Sequence, residues 1–258
     1  MPIYCYILKE RRKKTERILG NFAKGCDAQL IYDEHLRTDG PAVFWGQIYA
    51  SQRLMRECIE KGIDFYQIDN GYFHAARGTS IGYFRVTKNA LAKNWVDVCP
   101  DDRWKALNIP LMPWRQYTNT GIVVLCVPGR NFGAYMGMDM DKWAAITQKK
   151  LSTITYRKVY IRPKLKEPSL LDVLYSTQSH CVVTHSSNAA VEAVIAGFPV
   201  FCHDLCAAHP VANSLEFDRL EDPLLPDRQA WVNSLAYGQF TLEEFSNGTA
   251  WSILRGNL

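Results

Sequence analysis

The residues best suited to chemistry stand together in "CVVTHSSNAAVEAVIAGFPVF" (181–201), where His185, Ser186, Ser187 and Asn188 occupy the handover from an apolar strand to a helix. The first turn of a helix leaves backbone N–H groups unpaired and carries a partial positive charge, so it receives phosphate readily. Small polar residues at that turn either cap the helix or donate to phosphate oxygens, and capping is the plainer role. Glu192 lies four residues after Asn188 and therefore shares its helical face. In a helix otherwise made of Ala, Val and Ile, one carboxylate at that place suits hydrogen bonds from ribose hydroxyls.

Two more segments carry matching chemistry. "VPGRNFG" brings Gly129 and Arg130 after the apolar run "GIVVLC", and "RPKLK" brings Arg162, Lys164 and Lys166 after "KVYI". A glycine lets a phosphate approach the backbone, and the cations neutralise the charge that develops on a departing diphosphate. Such loops need strands to hold them. Residues 121–205 read as four apolar strands joined by three helical crossovers, the pattern of a parallel sheet. Ligands in such sheets bind outside the carboxyl ends of the strands, where all three loops are expected to converge.

The first half alternates in the same way. "IYCYIL", "AQLIY", "AVFWGQ" and "DFYQID" read as strands, with a helix after the first that stops near Gly20 or Gly25 and another that stops at Gly62. Residues 95–120 contain three prolines and no clean period, which predicts a connection between two domains. The expected organisation is an α/β chain with two Rossmann-like doubly wound domains facing a cleft. One spans 1–110, the second spans 111–230, and a helical tail over 231–258 packs back through Trp231, Tyr237, Phe240 and Trp251.

"HSSNAAVEAVIAGFPVF" resembles the donor-site segment of GT-B glycosyltransferases and related nucleotide-sugar enzymes, with Asn188, Glu192, Gly197 and Pro199 at the matching spacing. That resemblance implies a nucleotide-sugar co-substrate, a UDP-sugar favoured, with Ser187 and Asn188 at the diphosphate and Glu192 at the ribose. His185 and Ser186 join them as donor-binding candidates. The Glu-x7-Glu pattern of one retaining class is broken by Val200, so an inverting transfer is expected.

The first half is then expected to hold the acceptor and the catalytic base. A carboxylate at a strand's carboxyl end can take the acceptor's proton, which points to Asp69 first, with Asp33 and His74 behind it. Turn capping is the plain alternative for Asp69. "KERRKKTER" (9–17) holds six basic and two acidic side chains. Arg11, Arg12 and Lys13 from that run, with Arg77, Arg85 and Lys88 from 76–95, form a basic set interleaved with Tyr83, Phe84 and Trp95. That mixture suits a polyanion with bases to stack on. Together with a resemblance to phage enzymes that decorate DNA bases, it favours transfer to a hydroxymethylated pyrimidine, 5-hydroxymethylcytosine or 5-hydroxymethyluracil, in double-stranded phage DNA. Such a base would be flipped out of the duplex. The competing readings are a capsule or lipopolysaccharide precursor transferase, a nucleotide-sugar epimerase, and a non-enzymatic DNA-binding protein.

Bulk properties bound these readings. With 258 residues and 47% hydrophobic content the chain can build a substantial core. The net charge of +4 permits an anionic partner without requiring one. No apolar run approaches the roughly 20 residues of a membrane span, and the first charges follow the first apolar segment, the reverse of a secretory signal. A cytoplasmic protein is expected, in the host cytoplasm if phage-encoded. The eight cysteines show no paired framework, and Cys202, His203, Cys206 and His209 read as a loop in a reducing compartment rather than a zinc site. No metal and no tightly bound cofactor are expected.

Overall fold

The computed structural model describes residues 1–9, 12–47, 49–77, 79–93, 95–115, 120–164 and 168–256. Arg11 and Lys166, both singled out above, lie outside the described residues. In chain order the first elements are β1 (Tyr4–Tyr6), α1 (Arg12–Cys26), β2 (Gln29–Ile31), β3 (Ala42–Trp45), α2 (Tyr49–Lys61), β4 (Phe65–Asn70), β5 (Phe84–Lys88) and α3 (Asp102–Ala106). Then come β6 (Val123–Cys126), α4 (Arg130–Met136), α5 (Met140–Ile154), β7 (Val159–Arg162), α6 (Leu170–Ser176), β8 (Cys181–Thr184), α7 (Asn188–Ile195) and β9 (Val200–Cys202). The chain closes with α8 (Gln229–Tyr237), β10 (Gln239–Phe240), α9 (Leu242–Ser246) and α10 (Thr249–Leu254).

Two compact units result. The first comprises 1–91, 99–107 and 233–258, and the second comprises 92–98 and 108–232. The C-terminal segment therefore belongs to the first unit, and the region 95–120 is divided between both. Its described residues 95–115 carry regular structure despite the prolines. It contains α3, and in the second unit Met112 N–H bonds Ile195 O while Arg115 N–H bonds Gly197 O.

The first unit is a six-stranded sheet in the order β10-β5-β4-β3-β1-β2, with β2, β1, β3 and β4 parallel and the β4–β5 and β5–β10 pairs antiparallel. Helix α1 buries Thr15, Ile18, Leu19, Phe22 and Ala23, the spacing of one helical face. It runs past Gly20 and ends at Cys26, one residue beyond Gly25. Gly25 admits the C-terminal segment, because a Cβ there would lie 1.9 Å from Phe245 O. Phe245 stands edge-on to Phe22 at 5.3 Å, and the sheet residue Phe84 is 5.9 Å away. Arg103 of α3 fastens the same segment, donating to Ala236 O, Gln239 O and Glu244 Oε1.

The second unit is a four-stranded, all-parallel sheet in the order β7-β6-β8-β9. Its central strands β6 and β8 are buried throughout, as a sheet covered on both faces requires. Helix α7 is buried at Ala190, Val191, Ala193, Val194 and Ile195 and leaves Glu192 exposed. Gly197 ends it in the left-handed region at φ 83°, and a Cβ there would come 2.1 Å from Pro113 O. Arg228 braces the same helix end, its guanidinium donating to Val194 O and Met112 O and lying 3.9 Å over Trp114. Trp231, expected to dock the tail, is buried and donates to Ala207 O at 2.8 Å.

Phe245 is 1% exposed at the meeting of α9, α1 and the sheet. Phe245→Ala is expected to cost about 3–5 kcal/mol of unfolding free energy, read by urea denaturation. Gly197→Ala should also destabilise, because its φ and the Pro113 carbonyl both exclude a side chain; unchanged stability would contradict that packing.

Candidate functional site

Both units lay their first four parallel strands in one order. The second strand pairs on one side of the first and the third pairs on its other side, giving β2-β1-β3-β4 and β7-β6-β8-β9. The chain reverses direction across the sheet between β1 and β3, and again between β6 and β8. Loops diverge at such a reversal and open a crevice at the carboxyl ends of the strands.

In the second unit this crevice lies between the loops after β6 and β8, the two that carry the glycine turn and the Ser/Asn turn. Gly129 caps α4 in an extended conformation, and its carbonyl accepts from Phe132 and Gly133 N–H. The Lys164 ammonium from the loop after β7 lies 3.9 Å from the position a Gly129 Cβ would take. Arg130 is exposed at the start of α4. Ser187 caps α7, accepting from Ala189 N–H at 3.3 Å, and Asn188 begins the helix half-buried. Ser186 faces outward and donates to Leu205 O at 3.3 Å. The structure thus brings Gly129, Arg130, Lys164, Ser187, Asn188 and Glu192 to one sheet edge.

Arg162 behaves differently. It is 9% exposed and donates to Pro168 O at 3.0 Å. Burial pushes the Cys126 thiol up to about 12, with Arg162 opposing and Glu192 adding to the shift. The end of β6 therefore lies within electrostatic reach of both residues.

His185 is a packed ring rather than an exposed contact. It is 4% exposed, stacked on His203 at 4.2 Å and 11°, and flanked by Phe132 and Trp143. Its Nδ1 is buried without a hydrogen-bond partner. Burial, then the neighbouring His203, lowers its pKa to about 4. His203 Nδ1 meets Asp204 Oδ1 at 2.5 Å and Leu205 N–H at 3.2 Å, so the protonated ring donates to Asp204 and the neutral ring can accept from Leu205. The His203–Asp204 pair escaped the sequence reading, where His203 was weighed only as part of a zinc cluster and Asp204 was passed over. Among the described residues no three His, Cys, Asp or Glu side chains form a metal-holding group, and Cys206 donates to Ser187 O at 3.8 Å.

The first unit distributes its candidates more widely. Asp69 sits at the carboxyl end of β4, where Oδ1 accepts from Asn70 N–H and Oδ2 lies 3.4 Å from Arg85, its cross-strand partner. Arg85 in turn lies over Tyr72 at 5.4 Å. Asp33 follows β2 and is held by Arg37 at 2.8 Å. The His35 N–H and then Arg37 lower its pKa, which weakens it as a base. His74 and Arg77 are exposed in the loop after β4 and adopt left-handed backbones at φ 43° and 45°, with His74 Nε2 3.3 Å from Leu107 O. Two such residues in one short loop store strain of the kind functional loops hold.

The structure removes Phe84 and Lys88 from the proposed basic stacking set. Phe84 is fully buried in β5, which removes it from any contact with a base. Arg85 is committed to Asp69, and Lys88, at the far end of β5, pairs with Asp64 at 2.6 Å beside the amino end of β4. Arg12 pairs with Glu16 and lies 5.1 Å over Tyr32, while Lys13 is exposed. Trp95 belongs to the second unit. At the first unit's own reversal stands a residue the sequence reading passed over: Lys14, whose ammonium lies 4.5 Å over Trp45 at the end of β3. Its place next to the inward-facing Thr15 and one turn before Ile18 was the available signal.

The fold is that of a two-unit, Rossmann-like α/β protein with two parallel-rich sheets. The chain matches no family model and no curated protein sequence. Among solved structures it resembles Thermosulfurimonas dismutans KpsC, beta Kdo 2,4 transferase, with TM-score 0.53 and 13% identity over 93% of this chain and 91% of that one. It also resembles the beta Kdo 2,7 transferase of the same KpsC, again with TM-score 0.53 and 13% identity, over 91% and 90%. At that identity the likeness is one of fold. Among the described residues no helix is long and apolar enough to cross a membrane.

His185 also yields a pH prediction. Its pKa falls from the ordinary 6.5 to about 4 on folding, so the unfolded chain binds a proton first as pH drops. Stability from this residue is complete above about pH 6.5 and is lost as pH falls toward 4, at up to about 1.4 kcal/mol per pH unit. His185→Phe should remove that component, visible in denaturant titrations between pH 7.5 and 5. Parallel pH profiles for both proteins would refute it.

Proposed function

We propose that the protein is a glycosyltransferase that moves a sugar from a nucleotide-sugar donor held by the second unit to an acceptor hydroxyl. The observation that carries this reading is the meeting of Gly129, Lys164 and the start of α7 at the β6/β8 reversal. Two helix N-termini and an ammonium favour a diphosphate there. Glu192, one turn into α7 and exposed, is the group for the ribose. The cations hold the leaving diphosphate as its charge develops.

In this reading Asp69 takes the acceptor proton. Arg85 fixes the orientation of the carboxylate, and a fixed base needs no rearrangement at the moment of transfer. A saccharide hydroxyl is the preferred acceptor, as in capsule-type transfer. The fold neighbours are transferases of a sugar, Kdo, and of the cations first read as a DNA surface Arg12, Arg85 and Lys88 are each paired with a carboxylate. The hydroxymethylated-pyrimidine acceptor becomes the alternative arm of the assay.

Isothermal titration with UDP-, GDP- and CMP-activated sugars, Kdo among those transferred, tests the donor site. Glu192→Ala and Lys164→Gln are each expected to weaken the bound donor about tenfold or more. Unchanged affinity in both would reject the site. Asp69→Asn should lower kcat by about 100-fold or more while donor affinity stays the same. Label from the donor should reach a saccharide acceptor and leave hydroxymethylated DNA unmodified. Label on the DNA instead would reverse the acceptor assignment, and turnover of donor alone would indicate an epimerase.

A further inference from the structure

The first unit contains a cavity of about 650 Å³ at the amino ends of its parallel strands, the edge opposite its crevice. Ile3, Pro41 and Asp64, which directly precede β1, β3 and β4, all line it. Helices α1, α2 and α10 end at the same place, since Cys26, Lys61 and Arg255 also line the cavity. Helix C-termini present carbonyl oxygens that lack intrahelical donors, so this edge is rich in acceptors.

Tyr66 is the decisive side chain. It is 93% buried, at 7% exposure, and lines the cavity with a hydroxyl that has no hydrogen-bond partner among the described residues. That hydroxyl opens onto the cavity rather than being sealed away, so it can donate to or accept from a ligand there. Trp251 stands edge-on to the same ring at 5.3 Å and supplies apolar surface. Arg255 is exposed and makes no ion pair among the described residues. Lys61 pairs with Glu57 at 2.6 Å, and Asp64 pairs with Lys88 at 2.6 Å. Those pairs leave Arg255 as a side-chain cation able to answer a ligand's charge, and the Met1 amino end also lines the cavity.

Carbonyl acceptors and a carboxylate call for a ligand with many hydroxyl donors. The aromatic pair calls for the apolar face of a ring, and Arg255 calls for one negative charge. A volume of this size lies within the usual range of small-molecule sites. We propose that this cavity binds a carboxylate-bearing saccharide of one or two rings, with the Tyr66 hydroxyl and Arg255 as its specificity contacts. The site belongs wholly to the first unit, and the inference does not rest on the transfer reaction.

Titration calorimetry and saturation-transfer NMR on the full chain, with three probes, test the proposal. The probes are a glucuronic-acid-terminated disaccharide, its glucose-terminated counterpart and inorganic phosphate. The acidic disaccharide should bind at least about fivefold tighter than the neutral one, and phosphate should not compete with it. Tyr66→Phe and Arg255→Gln, each checked for an unchanged Tm, should each weaken it about fivefold or more, whereas Lys164→Gln should bind like the native chain. No binding by the native chain, equal affinity in both cavity variants, or binding of phosphate alone would overturn the proposal.

Discussion

The constraint on which the rest depends is the reversal of strand order within each parallel sheet. Once the second strand has paired on one side of the first and the third on its other side, two neighbouring loops must part, and they part at the carboxyl ends. In the second unit those loops carry Gly129 and the Ser187–Asn188 turn, with Lys164 reaching over the glycine. None of these residues is unusual alone. A parallel sheet makes them neighbours because each strand returns its chemistry to one edge, however far apart the segments lie in sequence.

The same geometry separates residues that support the edge from residues that face solvent at it. His185 and Arg162 are chemically capable side chains, yet both are nine-tenths buried or more. His185 sits in a ring stack with His203, Phe132 and Trp143, and burial keeps it neutral well below the ordinary imidazole range. Such a stack fixes the turn that begins α7. His203 and Asp204, by contrast, remain accessible beside it.

The first unit shows how secondary pairing changes the meaning of charge. In the sequence Arg85 and Lys88 belong to one basic stretch. In the sheet Arg85 faces Asp69 across the β4–β5 ladder, and Lys88 reaches Asp64 at its other end. An antiparallel strand spreads its residues along the full height of the sheet, so charges close in sequence end at opposite edges. The C-terminal segment makes a related point. Its place in the first unit depends on Gly25 and Gly248, where two backbones approach too closely for any side chain.

Local pattern determined the elements of this protein. Strand–helix alternation, the four apolar strands of 121–205 and the carboxylate on an otherwise apolar helix were all legible, because periodicity and capping act over a few residues. The short helix α4 and strand β5 were not, since a seven-residue helix and a strand inside a basic stretch carry little period of their own. Tertiary structure alone decided register and burial: that Asp69 meets Arg85, that Phe84 is hidden, that His185 is stacked away from solvent, and that residues 233–258 complete the first unit. Those outcomes depend on pairings across 16 to more than 200 positions of chain. No window of sequence contains the energy that selects them.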